Sequence, residues 1–203
     1  MDLFDAVTDK NLLPFEGEVR WYGHCFSQEA CLTIYDTLLH TIDWKHETLK
    51  MFAKTIQTKR KVAWYGEPGL QYSYSNTVKH TSPWTAELLL LKHKIEELTK
   101  QSFNSCLLNL YHDGEEGMGW HSDNEPELGT KPVIASLSFG ASRKFQFRHN
   151  KTKKQISLML NNGTLLLMKG ETQTHWKHQV PKMKAVRTAR INLTFRTIVT
   201  KKS

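Results

Sequence analysis

Two histidines and one aspartate form the most informative polar pattern in this sequence. His121 and Asp123 are two residues apart, so in a strand their side chains would share a face, and His178 follows later. Two imidazoles and one carboxylate can occupy one face of Fe(II) and leave three coordination positions open. A chelating 2-oxo acid would fill two of these positions and dioxygen the third. The pattern therefore predicts an iron site, although a His-x-Asp pair alone is weak evidence.

A polar stripe near the C-terminus supplies groups that such a co-substrate needs. Along residues 189–197, apolar residues alternate with Arg190, Asn192, Thr194 and Arg196. A guanidinium fixed on a strand can bind the far carboxylate of a dicarboxylic acid. Taken alone, each polar face could simply be solvated, as is common in antiparallel sheets. The combination with the His-x-Asp pair and the later His favours a binding site.

Two helices and a series of short strands are expected to position these residues. One helix follows Ser27 as N-cap, and a second has Ser82 as N-cap and Pro83 at its first position. Strands are predicted at 104–112, 132–140, 143–149, 155–160, 163–168, 173–180 and 189–197. Residues 62–80 predict a hairpin that turns at Glu67-Pro68-Gly69. Together these elements predict an α+β fold, a barrel or jelly roll with helices outside it.

Composition limits the class of protein. A length of 203 residues predicts one domain. The net charge of +8, concentrated between Glu47 and Glu67 and after Glu171, indicates a polyanionic partner. No apolar run approaches the roughly 20 residues that span a bilayer, so no membrane association is expected. Three cysteines without a Cys-x-x-Cys pair suit a reducing compartment and predict buried thiols.

Six segments resemble the AlkB family of nucleic-acid demethylases. They are Asn109–Tyr111, Gly119–Glu125, Ile134–Gly140, Phe145–Arg148, Thr174–His178 and Arg190–Arg196. The resemblance covers roughly residues 45–197 and is closest to the branch that repairs duplex DNA. That branch has an aromatic-tipped hairpin, an Arg-Lys pair and a Tyr-x-aromatic-Ser segment, which correspond here to residues 51–54, 60–61 and 72–75.

The resemblance implies a single catalytic domain, 1–203. Its core would be a double-stranded β-helix, or jelly roll, at about 104–197, and about 45–80 would form a substrate-binding hairpin lid. The implied iron ligands are His121, Asp123 and His178. The implied 2-oxoglutarate ligands are Asn109, Tyr111, Arg190, Asn192 and Arg196, with Arg190 at the distal carboxylate and Arg196 nearer the metal. The implied substrate contacts are Phe52, Arg60, Tyr72, Tyr74 and Ser75.

The implied activity is oxidative demethylation of 1-methyladenine and 3-methylcytosine in DNA, with Fe(II), 2-oxoglutarate and O2. A methylated ring nitrogen makes the base cationic and blocks pairing, so the base flips out at reduced cost. Tyr74 is expected to cover the flipped base opposite His121, and Phe52 to fill the gap in the stack. Arg60 and the nearby lysines Lys50, Lys54, Lys59 and Lys61 are expected to lie along phosphates.

Two departures from the branch and three alternatives complete the sequence-based picture. Asn124 stands where the branch has an acid, which weakens a charge partner for Arg60, and Ala53 stands where Gly would match.

The alternatives are the same chemistry on methylated RNA or a protein side chain, a binding module without catalysis, and a structural zinc protein. Intact ligands argue against the second, and the absence of nearby cysteines against the third. A monomer is expected, cytoplasmic if bacterial and nuclear if eukaryotic.

Overall fold

The computed structural model describes residues 10–51, 54–74 and 77–199. The helices are α1 (Gln28–Thr41), α2 (Ala86–Thr99) and a short α3 (Thr172–His175). The first strands are β1 (Glu18–His24), β2 (Lys45–Met51), β3 (Lys54–Gly66), β4 (Gln71–Tyr74), β5 (Thr77–His80), β6 (Ser82–Pro83) and β7 (Ser105–Tyr111). The remaining strands are β8 (Met118–His121), β9 (Ile134–Gly140), β10 (Arg143–His149), β11 (Gln155–Leu160), β12 (Thr164–Lys169), β13 (Trp176–Val180) and β14 (Arg190–Arg196).

Two antiparallel sheets form the body of the protein. The major sheet has the order β1-β12-β9-β14-β7-β3-β2, with β6 pairing in parallel with β3. The minor sheet has the order β11-β10-β13-β8. Apolar side chains from both sheets, among them Ile134, Phe147, Met168 and Trp176, pack together in one core cluster. This arrangement is the expected jelly roll, an antiparallel β-sandwich that carries helices.

Both long helices pack on the outer side of the major sheet. Strand residues such as Leu108, Leu137 and Leu193 contact a second core cluster that includes Leu38 and Leu91 from the helices. Because side chains alternate along a strand, their sequence neighbours point to the opposite, inner side of the sheet. No helix in the described ranges is long and apolar enough to cross a membrane.

The polar stripe of β14 lies inside the protein. All seven residues of the strand are buried, so both faces are covered. Ile191, Leu193 and Phe195 belong to the core cluster under the helices. The opposite face, from Arg190 to Arg196, therefore points towards the space between the sheets. A solvated polar face, the alternative considered for this strand, is excluded by this burial.

The start of the second helix differs from its sequence prediction. Thr85, rather than Ser82, is the N-cap, and its side chain accepts a hydrogen bond of 3.2 Å from the Leu88 amide. Ser82 and Pro83 instead form β6, which pairs with the end of β3. A hydroxyl residue does cap the helix, as predicted, but it is Thr85, which lies nearer the apolar stripe than Ser82 does.

The hairpin predicted over 62–80 is also wrong in its pairing. Glu67 to Gly69 do form a turn, and Gly69 has a φ of 81°. The strands on either side of that turn do not pair, because β3 is already bonded to β2, β6 and β7. The hairpin is instead β4–β5, with Gln71 opposite His80.

Two further elements of the structure differ from the sequence prediction. The strand predicted at 173–180 begins at Trp176, because Thr174 and His175 donate backbone hydrogen bonds to the Glu171 carbonyl and form α3. Strand β1, which no sequence pattern predicted, pairs with β12 at the edge of the major sheet. As expected, the three thiols are free, with Cys31 and Cys106 buried and Cys25 partly so.

Neighbouring leucines on α2 provide a test of the helix–sheet packing. Leu91 is 2% exposed, whereas Leu90 is 66% exposed. We expect Leu91→Ala to lower the free energy of unfolding by about 2–5 kcal/mol, because it removes buried methyl groups and leaves a cavity. The control Leu90→Ala should change it by less than about 0.5 kcal/mol. Urea unfolding measures both, and equal losses would contradict this placement of α2.

Candidate active site

The structure brings the two histidines and the aspartate together. His121 ends β8 and lies opposite His178 on the neighbouring strand β13. Asp123 follows two residues after His121, with its Oδ1 3.7 Å from His121 Nε2. One ligand atom from each of the three side chains lies within 4.8 Å of the other two. This arrangement can hold a metal ion through two nitrogens and one oxygen, the donor set of the Fe(II) facial triad.

The two imidazole rings are in states suited to metal binding. The Nδ1 of His121 is 2.8 Å from the Gly119 carbonyl, which can only accept, so Nδ1 carries the proton and Nε2 has a free lone pair. His178 is buried and stacks on Phe145 at 5.4 Å. Burial, helped by nearby His121, lowers the pKa of His178 to about 3, so this ring is neutral at neutral pH.

A buried ion pair keeps Asp123 charged. Its Oδ2 accepts a hydrogen bond of 2.6 Å from Arg196 Nη2, and both side chains are 7% exposed. Burial raises the pKa of Asp123, but the charge of the Arg196 guanidinium and its hydrogen bond outweigh this effect, so the pKa lies below its usual value. The Asp123 amide also donates to Gln173 Oε1 at 2.9 Å. The carboxylate is therefore anionic and fixed in position.

A cavity of about 110 Å³ opens beside the three side chains. A single water needs only roughly 10–15 Å³, so the cavity admits a ligand of several heavy atoms. Its walls are contributed by both sheets. They include the ligand set, Asn109 and Tyr111 of β7, Asn192, Thr194 and Arg196 of β14, and Glu47, Arg60, Met118 and Phe145.

Arg190 is buried beyond the cavity lining, next to Tyr111. Its Nη2 donates to Ser138 Oγ at 2.9 Å, and its guanidinium lies 5.5 Å from the Tyr111 ring centre. Its Nε and Nη1 are buried with no hydrogen-bond partner among the described residues. Burial lowers the pKa of Arg190 to about 10, which still leaves it charged. Buried unsatisfied donors on a cation fit an incoming carboxylate.

Asn109 and Asn192 are held by neighbours in the cavity wall. Asn192 Nδ2 donates to Ser136 Oγ at 2.9 Å and to the Leu137 carbonyl at 3.0 Å. Asn109 Oδ1 accepts from Arg60 Nη1 at 2.5 Å. The two amides face each other across the β7–β14 pair. Both side chains are thus fixed before any ligand arrives.

Arg60 does not lie where phosphates would run, which corrects part of the sequence prediction. It is 7% exposed and forms a 2.5 Å ion pair with Glu47 Oε2 inside the cavity wall. Because Asn124 replaces an acid of the branch, Arg60 was expected to have a weaker charge partner. Glu47, which sequence reasoning missed, supplies that partner. The pairing of β2 with β3 is irregular between His46 and Thr48. An irregularity of this kind re-aims a side chain, and no sequence pattern signals it.

The side chains proposed to form the lid lie outside the described part of the structure. Phe52 and Ser75 lie outside the described residues. Tyr72 and Tyr74 belong to β4 by their backbone, but their side chains are outside the described part as well. Of the basic residues expected along phosphates, Lys59 is exposed and Lys61 is half-buried, while the side chains of Lys50 and Lys54 are outside the described part.

Comparison with known proteins identifies the class. The family model described as "2OG-Fe(II) oxygenase superfamily" matches residues 18–196. "Alpha-ketoglutarate-dependent dioxygenase alkB homolog 3" of Bos taurus is 44% identical over 176 residues, 82% of this chain and 61% of the relative. "DNA oxidative demethylase ALKBH2" of Bos taurus is 39% identical over 159 residues, 74% of this chain and 57% of the relative.

The fold comparison agrees with this class. A solved structure titled "The structure of OsALKBH1" superposes with a TM-score of 0.65 at 16% identity, covering 91% of this chain and 98% of that one. The chain therefore belongs to the 2OG-Fe(II) oxygenase superfamily and, within it, to the AlkB family. It spans about three fifths of the length of these two curated relatives.

Membership of this superfamily implies Fe(II), 2-oxoglutarate and O2 as cofactor and co-substrates. The residues present fit these groups. The ligand set offers two imidazoles and a carboxylate, and the Nδ1 of His178 is buried without a partner among the described residues. The unsatisfied donors of Arg190 fit the far carboxylate of a dicarboxylic acid. Arg196, bound to Asp123, lies at the metal end.

The low pKa of His178 predicts how the metal-free protein responds to acid. Between the usual pKa of about 6.5 and the folded-state value of about 3, the unfolded chain binds a proton that the folded chain excludes. The folded chain is therefore destabilised relative to the unfolded chain as the pH falls below about 6.5, and this loss grows until the pH reaches about 3. This group alone should lower the free energy of unfolding by about 2 kcal/mol between pH 7 and pH 5.

Urea unfolding of the metal-free protein at the two pH values measures this loss. His178→Gln should remove this contribution and give a correspondingly smaller fall, whatever its own stability at pH 7. An identical fall in both proteins would mean that His178 is freely protonated in the folded state.

Proposed function

We propose that this protein is an Fe(II)- and 2-oxoglutarate-dependent oxygenase that removes methyl groups from 1-methyladenine and 3-methylcytosine in DNA. The observation that carries the proposal is the His121, Asp123 and His178 ligand set, which opens onto a polar cavity beside a buried arginine. The relatives named as dioxygenase and DNA oxidative demethylase support the reaction class and the substrate.

The chain's own groups prepare the site for this chemistry. His121, Asp123 and His178 would hold the iron on one side and leave the cavity side open. Asn109, Tyr111, Arg190, Asn192 and Arg196 would bind 2-oxoglutarate, with Arg190 at the far carboxylate. When bound, iron, 2-oxoglutarate and O2 would supply the oxidation that converts an N-methyl group into a hydroxymethyl group, which leaves as formaldehyde.

The cavity wall also suits a cationic base. Glu47 places a buried carboxylate in the wall, and Arg60 holds it in place through their ion pair. A base methylated on a ring nitrogen carries positive charge, so a fixed carboxylate nearby favours it over the uncharged, repaired base. Arg60 thus contributes to substrate binding from inside the cavity rather than at the phosphates.

We assign the remaining recognition to about residues 45–80 as a lid over the core at about 104–197. Tyr74 would stack on the flipped base, Tyr72 and Ser75 would bind the base or a neighbouring phosphate, and Phe52 would fill the vacated stack. The positive charge of the chain, +8, supports a nucleic-acid partner.

A demethylation assay tests the proposal. The protein is incubated with Fe(II), ascorbate and 2-oxoglutarate and with 1-methyladenine or 3-methylcytosine in single-stranded DNA, duplex DNA or RNA. Methyl loss is measured by mass. We expect loss from DNA, and His121→Ala should abolish it because a metal ligand is missing. His40→Ala, an exposed histidine on α1, is the matched control and should retain full activity.

Faster methyl loss from RNA than from either DNA would assign the substrate to RNA while preserving the chemistry. Full turnover by His121→Ala would refute the ligand set, provided that circular dichroism shows the same fold in both variants.

The role of Arg190 predicts a specific kinetic change. Arg190→Lys keeps the positive charge but loses the planar fork that can bind a carboxylate with two hydrogen bonds. Loss of one charge-assisted bond of roughly 1.5–3 kcal/mol should raise the KM for 2-oxoglutarate about 10- to 100-fold. The KM for the methylated oligonucleotide should stay within about threefold, since Arg190 is assigned to 2-oxoglutarate and not to the methylated base. Succinate formation measures both constants.

The control for this experiment is Arg187→Lys, the same exchange at an exposed position three residues earlier. An unchanged KM for 2-oxoglutarate in Arg190→Lys would show that another group binds the far carboxylate.

A further inference from the structure

A second group of two histidines and one carboxylate lies apart from the candidate active site. Glu16 precedes β1, His149 ends β10 and His175 ends α3. Glu16 Oε2 is 2.7 Å from His149 Nε2 and 3.9 Å from His175 Nδ1. One ligand atom from each residue lies within 4.8 Å of the other two, and none of the three belongs to the first ligand set.

We propose that Glu16, His149 and His175 bind one divalent transition-metal ion of the Zn²⁺ type. Zinc is bound by imidazole nitrogen at about 2.0–2.1 Å and by carboxylate oxygen at about 2.0–2.2 Å. Tetrahedral geometry with these bond lengths places neighbouring ligand atoms roughly 3.3–3.5 Å apart. The two observed separations, 2.7 and 3.9 Å, fall on either side of that value. Movements of about half an ångström would bring both of these separations to that value, and the two imidazole nitrogens lie within 4.8 Å of each other.

The two imidazoles are held in place by their surroundings. His149 is 1% exposed and packs against Phe15 and Trp176, with ring centres 4.9 and 5.0 Å away. Asn150 donates from its amide to the His175 carbonyl at 2.8 Å and from its side chain to the Thr174 carbonyl at 2.9 Å. These bonds fix the turn after β10 against α3 and so hold the backbone that carries His175 close to His149.

Glu16 is the adjustable member of the group. Its side chain is 45% exposed, so the carboxylate can move by the distance that an ion requires. Its backbone has a φ of 47°, in the left-handed region that is strained for a non-glycine residue. The bond to His149 offsets part of that cost, and an ion bridging the three residues would offset more.

Metal binding requires one proton to move within the His149 ring. The Thr152 amide donates to His149 Nδ1 at 3.1 Å, so without metal the ring proton is on Nε2 and points at Glu16. Coordination through Nε2 transfers that proton to Nδ1, where Thr152 Oγ1 at 3.0 Å can accept it. In this exchange the Thr152 amide gives up its bond to His149 Nδ1.

The proposed ion would join distant parts of the chain. Glu16 and His149 are 133 positions apart, and the ion would link the segment before β1 to the minor sheet and to α3. An ion bound only by the folded chain stabilises it in proportion to the logarithm of its concentration. The site would act as a structural clamp, and its test does not depend on the demethylase activity.

Metal stoichiometry in a four-protein set tests the proposal. The full chain is stripped with a chelator and dialysed against Co²⁺, a spectroscopic substitute for Zn²⁺, and bound metal is counted. Wild type should bind two ions, His175→Ala and His121→Ala one each, and the double variant none. Two ions in His175→Ala, or one in wild type that His121→Ala removes, would overturn the second site. If only the proposed iron site failed to bind metal, wild type would bind one ion, and His175→Ala would remove it.

Unfolding temperature supplies a second readout that does not depend on counting. In a His121→Ala background, Zn²⁺ should raise Tm, and adding Glu16→Gln should abolish the rise. This exchange keeps a hydrogen-bond acceptor for His149 but removes the anionic ligand. Adding Thr152→Val should reduce the rise, because His149 Nδ1 loses its acceptor. His40→Ala should leave it unchanged. A rise that persists with Glu16→Gln would refute the assignment, even if the Tm without metal were lower.

Discussion

The ion pair between Asp123 and Arg196 is the interaction on which the candidate active site depends. It connects the segment after β8, in the minor sheet, to β14 in the major sheet. A carboxylate at this depth would be protonated without a partner, and a protonated carboxyl is a poor metal ligand. Arg196 therefore both preserves the charge of the ligand and closes the jelly roll at the cavity. The bond from the Asp123 amide to Gln173 fixes the same residue from the side of α3.

Arg60, Arg190 and Arg196 are three of the guanidinium groups in this region, and their partners distinguish them. Arg196 is bound to Asp123, and Arg60 is bound to Glu47 and Asn109. Arg190 has a neutral partner, Ser138, and retains buried donors without partners among the described residues. Of the three, Arg190 thus has charge that no acidic side chain is shown to neutralise. This asymmetry places unsatisfied cationic donors at one end of the region and the candidate metal ligands at the other.

The sequence predicted those parts of the fold and site that follow from local alternation. The four alternating polar residues of β14 and the pair Asn109 and Tyr111 face inward because side chains alternate along strands. The family motifs identified the ligand set. The inward-facing residues of β14 are Arg190, Asn192, Thr194 and Arg196. Glu47 was missed because the irregular pairing at His46–Thr48 depends on contacts between strands. The Glu16, His149 and His175 group was missed for a similar reason. Its members come from three segments that only the folded chain brings together.

Strand β1 has a consequence for any shortened form of the chain. It covers the outer edge of β12, in which Leu165 to Met168 are four consecutive apolar residues. Removal of residues up to His24 would leave unpaired the amide and carbonyl groups of β12 that now face β1, while the pairing with β9 would remain. An exposed, apolar edge of this kind recruits strands from other molecules and leads to aggregation. Solubility of the folded domain therefore rests partly on a segment that contributes no ligand to the candidate active site.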